Sequence, residues 1–156
     1  MNVMTRRWLC LFLLASFAAC RSQTPAPAPP PRLPDLKPFV DKLATESALF
    51  ATDKLGARLQ KLLGDAEYRQ MVADWQTQTP VEEEGGVFHA SGCRAHDCLA
   101  INYQLYVEPA RDAISVFRLR DQKITPFEEK GPVRLPARLA SDFETLKSNF
   151  NDSRFR

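Results

Sequence analysis

The chain has 156 residues, with 21 Lys and Arg against 19 Asp and Glu, a formal charge of +2. Arg6 and Arg7 fall in an export segment, so the remainder is close to neutral. A basic stripe for nucleic acid is absent, which argues against that partner, and long-range steering by net charge should be weak.

Residues 1–20 have the pattern of a secretory signal. Arg6-Arg7 form a positive start, Trp8 to Phe17 an apolar run, and Ala18-Ala19 are small residues before Cys20. The run is too short to span a membrane. Ser16-Phe17-Ala18-Ala19-Cys20 resembles a bacterial lipobox, in which the cysteine becomes the lipidated first residue; Phe17 stands where leucine is usual. Cleavage nearby without lipid, leaving a soluble periplasmic protein, is the alternative. Arg21 in place of aspartate after Cys20 is the enterobacterial pattern for the outer membrane, with inner versus outer left open. Residues 21–34 form a Pro/Ala-rich tether of extended polyproline type. At about 3.1 Å per residue it would hold a domain some 30–40 Å from a membrane.

Residues 35–156 are the length of one domain. Leu36, Phe39, Val40 and Leu43 fall on one helical face. Leu55, Leu59, Leu62 and Leu63 repeat the pattern, with Thr52 or Asp53 to cap and Gly64 to stop. Tyr68, Met71, Val72 and Trp75 make a third apolar stripe behind Asp65. All three read as core. The period then changes to two. Val81 to Ser91 reads as a strand or as a hairpin bent at Gly85-Gly86, and His89 within it as a packed or surface histidine. Glu82-Glu83-Glu84 reads as a solvated stretch, with an acidic docking patch as the alternative. Leu99 to Val107 alternates as a half-buried strand. Residues 108–112 form a turn that includes Asp112, 113–119 a strand, and 123–127 a short edge strand limited by Pro126. A last helix begins at Pro136 and buries Leu139, Phe143, Leu146 and Phe150. The frame is helices, an antiparallel sheet, then a helix, which is the α+β class.

Between two of these strands lies Cys93-Arg94-Ala95-His96-Asp97-Cys98. Cys10 leaves with the signal and Cys20 carries lipid, so Cys93 and Cys98 remain as an even pair in an oxidising compartment and are expected to bond. Closing so short a ring is worth only roughly 2 kcal/mol, so holding the loop's shape is a better reason for it than stability. Arg94, His96 and Asp97 cannot all point inward in so tight a ring. A convex tip of this kind enters another molecule's cleft and does not enclose a substrate. Bland readings compete: a brace with an idle His96, or a metal site, for which one tight loop without a second ligand pair is poorly suited. A thiol oxidoreductase would need closer cysteines at a helix start. Neither a phosphate loop nor a Ser-His-Asp set is legible, so an enzyme is not expected and no catalytic residue, metal or cofactor is assigned.

The loop resembles the Cys-Lys-Pro-His-Asp-Cys segment of the Ivy family, bacterial inhibitors of vertebrate (c-type) lysozyme. Tyr68-Arg69-Gln70-Met71-Val72 is similar to the helix before the sheet in that family, and the likeness holds over about residues 65–120. Arg94 stands for the family's lysine, Ala95 for its proline, and Leu99 for a common glycine. The segment 36–63, read as helical, is more than the best-known members carry. The resemblance implies an α/β/α sandwich, lysozyme as partner with the c-type favoured, and a homodimer as one permitted state. It also implies that His96 enters the lysozyme cleft, where one carboxyl group is protonated and the other ionised, and hydrogen-bonds both. Asp97 would orient the loop by bonding its backbone or the His96 ring, and Arg94 would meet polar groups at the cleft rim. The competing reading is an envelope lipoprotein that binds another wall enzyme or an assembly partner.

Overall fold

A computed structural model describes residues 32–151; the export segment with Cys10 and Cys20, tether residues 21–31 and the side chain of Phe150 lie outside the described residues. The elements in chain order are α1 (Asp53–Leu63), α2 (Asp65–Asp74), β1 (Thr77–Gln78), β2 (Glu82–Glu84), β3 (Val87–Cys93), β4 (Ile101–Glu108), β5 (Ala113–Arg120), β6 (Lys123–Glu129) and α3 (Ala137–Asn151). The sheet runs β1-β3-β4-β5-β6 with β2 also paired to β3, and every pairing is antiparallel.

The sheet is covered on both faces, as an α/β/α sandwich requires. On one face Leu55, Leu59 and Leu63 of α1 and Met71 of α2 pack with Phe88, Ala90, Tyr103, Leu105, Ile114 and Val116. On the other, Leu139 of α3 packs with Val87, Tyr106 and Ala113, and Phe143 meets Phe117 with ring centroids 4.5 Å apart. Alternation along β4 therefore does not separate core from solvent. Every residue from Ile101 to Val107 is buried, and the expected half-buried strand is corrected to one buried on both sides. Burial there favours folding at about 25 cal/mol per Å² of apolar surface.

Other expectations hold in altered form. The Gly85-Gly86 bend is a two-residue hairpin joining Glu84 to Val87, with φ of 57° and 81°, the doubly positive pattern that tight hairpins favour. Gly64 ends α1 with φ 79°. Thr52 occupies the cap position, but its hydroxyl donates to the Leu49 carbonyl and not into the helix. Pro136 sits just before α3 and accepts the Ala140 N–H on its carbonyl. Val72, read as core, is 38% exposed, because α2 buries Met71 and Asp74 and packs Tyr68 against the core on another side. The edge strand is longer than read, pairing with β5 from Lys123 through Glu129, with Pro126 at its exposed edge.

The predicted helix over 36–43 does not form. A 3-10 turn spans Lys37–Phe39, Asp41 adopts φ 62°, and the chain then bridges Val40 to Val81 and Leu43 to Pro80. The left-handed Asp41 breaks the spiral, so the apolar residues tuck in as an irregular strap. Leu36, Ala44, Leu49 and Phe50 nonetheless join the core.

One buried ion cluster ties the strap, α1 and the sheet at the end where β4 turns into β5. Arg58, 1% exposed, donates from Nε to Glu129 at 2.9 Å and from Nη2 to the Asp112 carbonyl at 2.7 Å, and pairs with the Asp112 carboxylate. Asp112 was expected only to belong to a turn. Its carboxylate also pairs with Lys130 and accepts the Leu33 N–H at 3.0 Å. Burial would raise the Asp112 carboxyl, but the hydrogen bonds from Lys130, Arg58 and Leu33 hold it well below the ordinary carboxylate range.

Candidate functional site

The six-residue loop lies at the opposite end of the same strands. Cys93 closes β3 and pairs with Thr77 on one side and Asn102 on the other, so the ladder fixes where the loop departs. The Cys93–Cys98 bond is formed, with Cα atoms 4.9 Å apart.

Within the ring, the Asp97 N–H donates to the Arg94 carbonyl at 3.0 Å, which closes a β-turn over Ala95 and His96. His96 has φ 64° and Ala95 does not share that region, the pattern of a type II turn with His96 at its third position. That position suits glycine, and an L side chain there is held against a steric cost. The second position is where proline fits, so proline would be compatible at 95 in φ. Its cost would be the bond from the Ala95 N–H to Gln76 Oε1 at 3.1 Å. The Asp97 carbonyl accepts from the N–H of Ala100 at 3.0 Å and of Ile101 at 2.9 Å, returning the chain to β4.

His96 is exposed and its ring makes no hydrogen bond among the described residues. Asp97 does not bond that ring; its carboxylate faces Arg94 at 4.0 Å. Arg94 turns inward. Its Nε and Nη2 both lie 2.9 Å from Oδ1 of Asp74, the last residue of α2, whose side chain is 3% exposed. The other oxygen of Asp74 accepts from Gln70 Nε2 at 3.0 Å and from Arg120 Nη2 at 3.3 Å. Arg120 donates to the Tyr103 hydroxyl at 2.6 Å, which donates to Glu67 Oε1 at 2.8 Å, and Glu67 also pairs with Arg118. Burial first, and then the Glu67 carboxylate, push the Tyr103 hydroxyl far above the ordinary phenol range, so it stays a donor. The Gln76 N–H donates to the Cys93 carbonyl at 3.0 Å, fastening the chain after α2 to the base of the loop.

Packing fixes the same joint. Trp75 lies on Gly92, where a Cβ would come within 2.2 Å of the indole. Its ring meets Phe50 edge-on at 4.8 Å. Leu99, expected to begin a strand, follows the loop and is 49% exposed.

Sequence reasoning placed the loop and missed the groups beneath it: Asp74, Gln76, Arg120 and Glu67. One signal was available. Asp74 stands between Met71 and Trp75 on the inward side of a helix, where a charged residue requires a partner. The other histidine, His89, is packed on the α3 face, with Glu82 at 2.6 Å from Nδ1, Gln104 at 2.7 Å from Nε2 and the Tyr106 ring stacked at 4.6 Å. Glu82 also pairs with Arg138 at 2.8 Å, so it is a tie between β2 and α3 as much as a solvated residue. Among the described residues no group of three or more His, Cys, Asp or Glu is arranged to hold a metal ion.

A sequence model described as inhibitor of vertebrate lysozyme (Ivy) matches residues 54–151. The match begins after the strap and takes in α1 from its second residue onward. No curated protein and no solved structure matches the chain.

Proposed function

Since the chain belongs to the Ivy family of lysozyme inhibitors, its model covering more than half of the residues, we propose that this protein blocks lysozyme by inserting the Cys93–Cys98 loop into the active-site cleft. One observation carries the reading: an exposed imidazole, without a hydrogen-bond partner among the described residues, held in a left-handed turn at the outer side of a closed ring. Strain at one residue, with the Ala95 and Asp97 amides bonded to Gln76 and Arg94 and the flanking cation paired with Asp74, favours a side chain kept for an external partner.

His96 meets the two cleft carboxyl groups, donating to the ionised one and bonding the other through its second nitrogen. Arg94, Ala95 and Asp97 shape the ring, and the disulfide lowers the entropy lost on docking. The c-type enzymes are the favoured target. The protein acts from the envelope, exported by residues 1–20 and anchored through lipid on Cys20 at the outer membrane, with residues 21–34 as spacer. A homodimer is compatible with this.

The test mixes purified protein with lysozymes of several classes and follows lysis of cell-wall suspensions. Dose-dependent inhibition of c-type lysozyme is expected, with no lysis or turnover by the protein alone. Silence across the panel would reject lysozyme and favour another wall enzyme or an assembly partner.

A further inference from the structure

The disulfide closes the ring but does not by itself fix how the ring stands on the body of the protein. A six-residue ring stemming from β3 and β4 can still tilt about its two attachments. What opposes tilting is the contact between Arg94 and Asp74. Nε of Arg94 donates to Oδ1 of Asp74, and Nη2 lies at ion-pair distance from the same oxygen, so the guanidinium is held along one edge. Asp74 is itself fixed, because its second oxygen is held by Gln70 of α2 and Arg120 of β5. The carboxylate therefore joins a helix, the sheet and the loop at one buried point. Pulling the loop away would cost the largely buried carboxylate one charge-assisted hydrogen bond and its ion pair with Arg94, which favours the docked position. The Gln76 bonds to Ala95 and Cys93 act in the same sense.

We propose that Asp74 is a positioning residue for the inhibitory loop, clasping Arg94 to the end of α2 so that His96 is presented in one orientation whether or not the Cys93–Cys98 bond is formed. This rests on the loop being the inhibitory element. Asp74 touches no part of the target and acts only through Arg94. The consequence is an inhibitor whose potency is lowered, not abolished, when its disulfide is reduced.

The experiment compares the full-length wild type, Arg94→Gln, Arg94→Lys, Asp74→Asn, the pair Cys93→Ser/Cys98→Ser, and that pair with Arg94→Gln. Two quantities are read: inhibition of c-type lysozyme, and, where both cysteines remain, the reduction potential of the disulfide. The cysteine pair and Arg94→Gln should each weaken inhibition by about tenfold, the loss of one charge-assisted contact or its equivalent in loop order. Together they should weaken it by clearly more than the product, because each fastening covers for the other. Arg94→Lys keeps the charge without the planar guanidinium edge and should recover part of the loss. Arg94→Gln should also make the bond easier to reduce, by about 30 mV if the clasp favours the closed loop tenfold. Arg94 is partly exposed, so Arg94→Gln should fold even if Asp74→Asn does not. Losses that merely multiply, an inert cysteine-free variant, or an unmoved potential would each overturn the clasp. If the wild type fails to inhibit any lysozyme, the functional reading falls, while the potential still reports on the clasp.

Discussion

Replacing His96 separates what the fold needs from what the target needs. His96→Ala removes an exposed ring that has no partner among the described residues, so fold stability should change by less than about 0.5 kcal/mol. Alanine leaves the left-handed backbone in place and its cost unrelieved. His96→Gly relieves about 1–2 kcal/mol of that cost and gives back about 0.4–1 kcal/mol through the greater freedom of the unfolded chain. Glycine should therefore exceed alanine by about 0.5–1 kcal/mol, measured as a shift in the urea midpoint at constant slope. Binding should respond to both variants alike. Two hydrogen bonds to cleft carboxyl groups, each taken at the low figure of about 1.5 kcal/mol, amount to roughly a 150-fold loss of affinity in a lysis titration. Wild-type inhibition by His96→Gly would refute the role of the imidazole. Alanine equal to or more stable than glycine would refute the claim that the turn is strained.

Three further outcomes test the framework that carries the loop. Arg58→Ala should cost about 3 kcal/mol in urea unfolding, because it leaves Asp112 and Glu129 without their common buried cation. Gly92→Ala should cost about 1–3 kcal/mol and alter the near-ultraviolet dichroism of Trp75, since the added carbon overlaps the indole; an unchanged spectrum would contradict the packing. Asp112 is held well below its usual value of 3.8 in the folded protein, so its contribution is fully present above that pH and is lost as pH falls through the depressed value. Asp112→Asn should therefore flatten the acid limb of stability against pH below about 4 and leave its pH dependence above about 5 unchanged.

The hairpin at Gly85-Gly86, the stop at Gly64, the presence of β3, β4 and β5 and the α3 core residues Leu139 and Phe143 were legible because each depends on local chemistry or simple period. Residues 36–43 misled for an identifiable reason. Their apolar spacing fits a helix, and tertiary contact with Val81 and Pro80 uses the same residues without one. Strand β4 misled because its alternate residues, Asn102, Gln104 and Tyr106, are polar or amphipathic yet buried beside His89 on the α3 face. At the site, Cys93, His96 and Cys98 lie in one short window and could be read together. Asp74 and Arg120 lie 20 residues before and 26 residues after Arg94, and only the folded sheet brings them to it.

The described chain begins where Leu33 meets Asp112, at the end of β4 away from the loop. Eight strand residues, about 26 Å, separate the two poles. A bead, a surface or a fusion partner joined ahead of residue 32 is therefore attached at the base of the molecule, and His96 stays free to reach outward from the other pole like the point of a mounted pin.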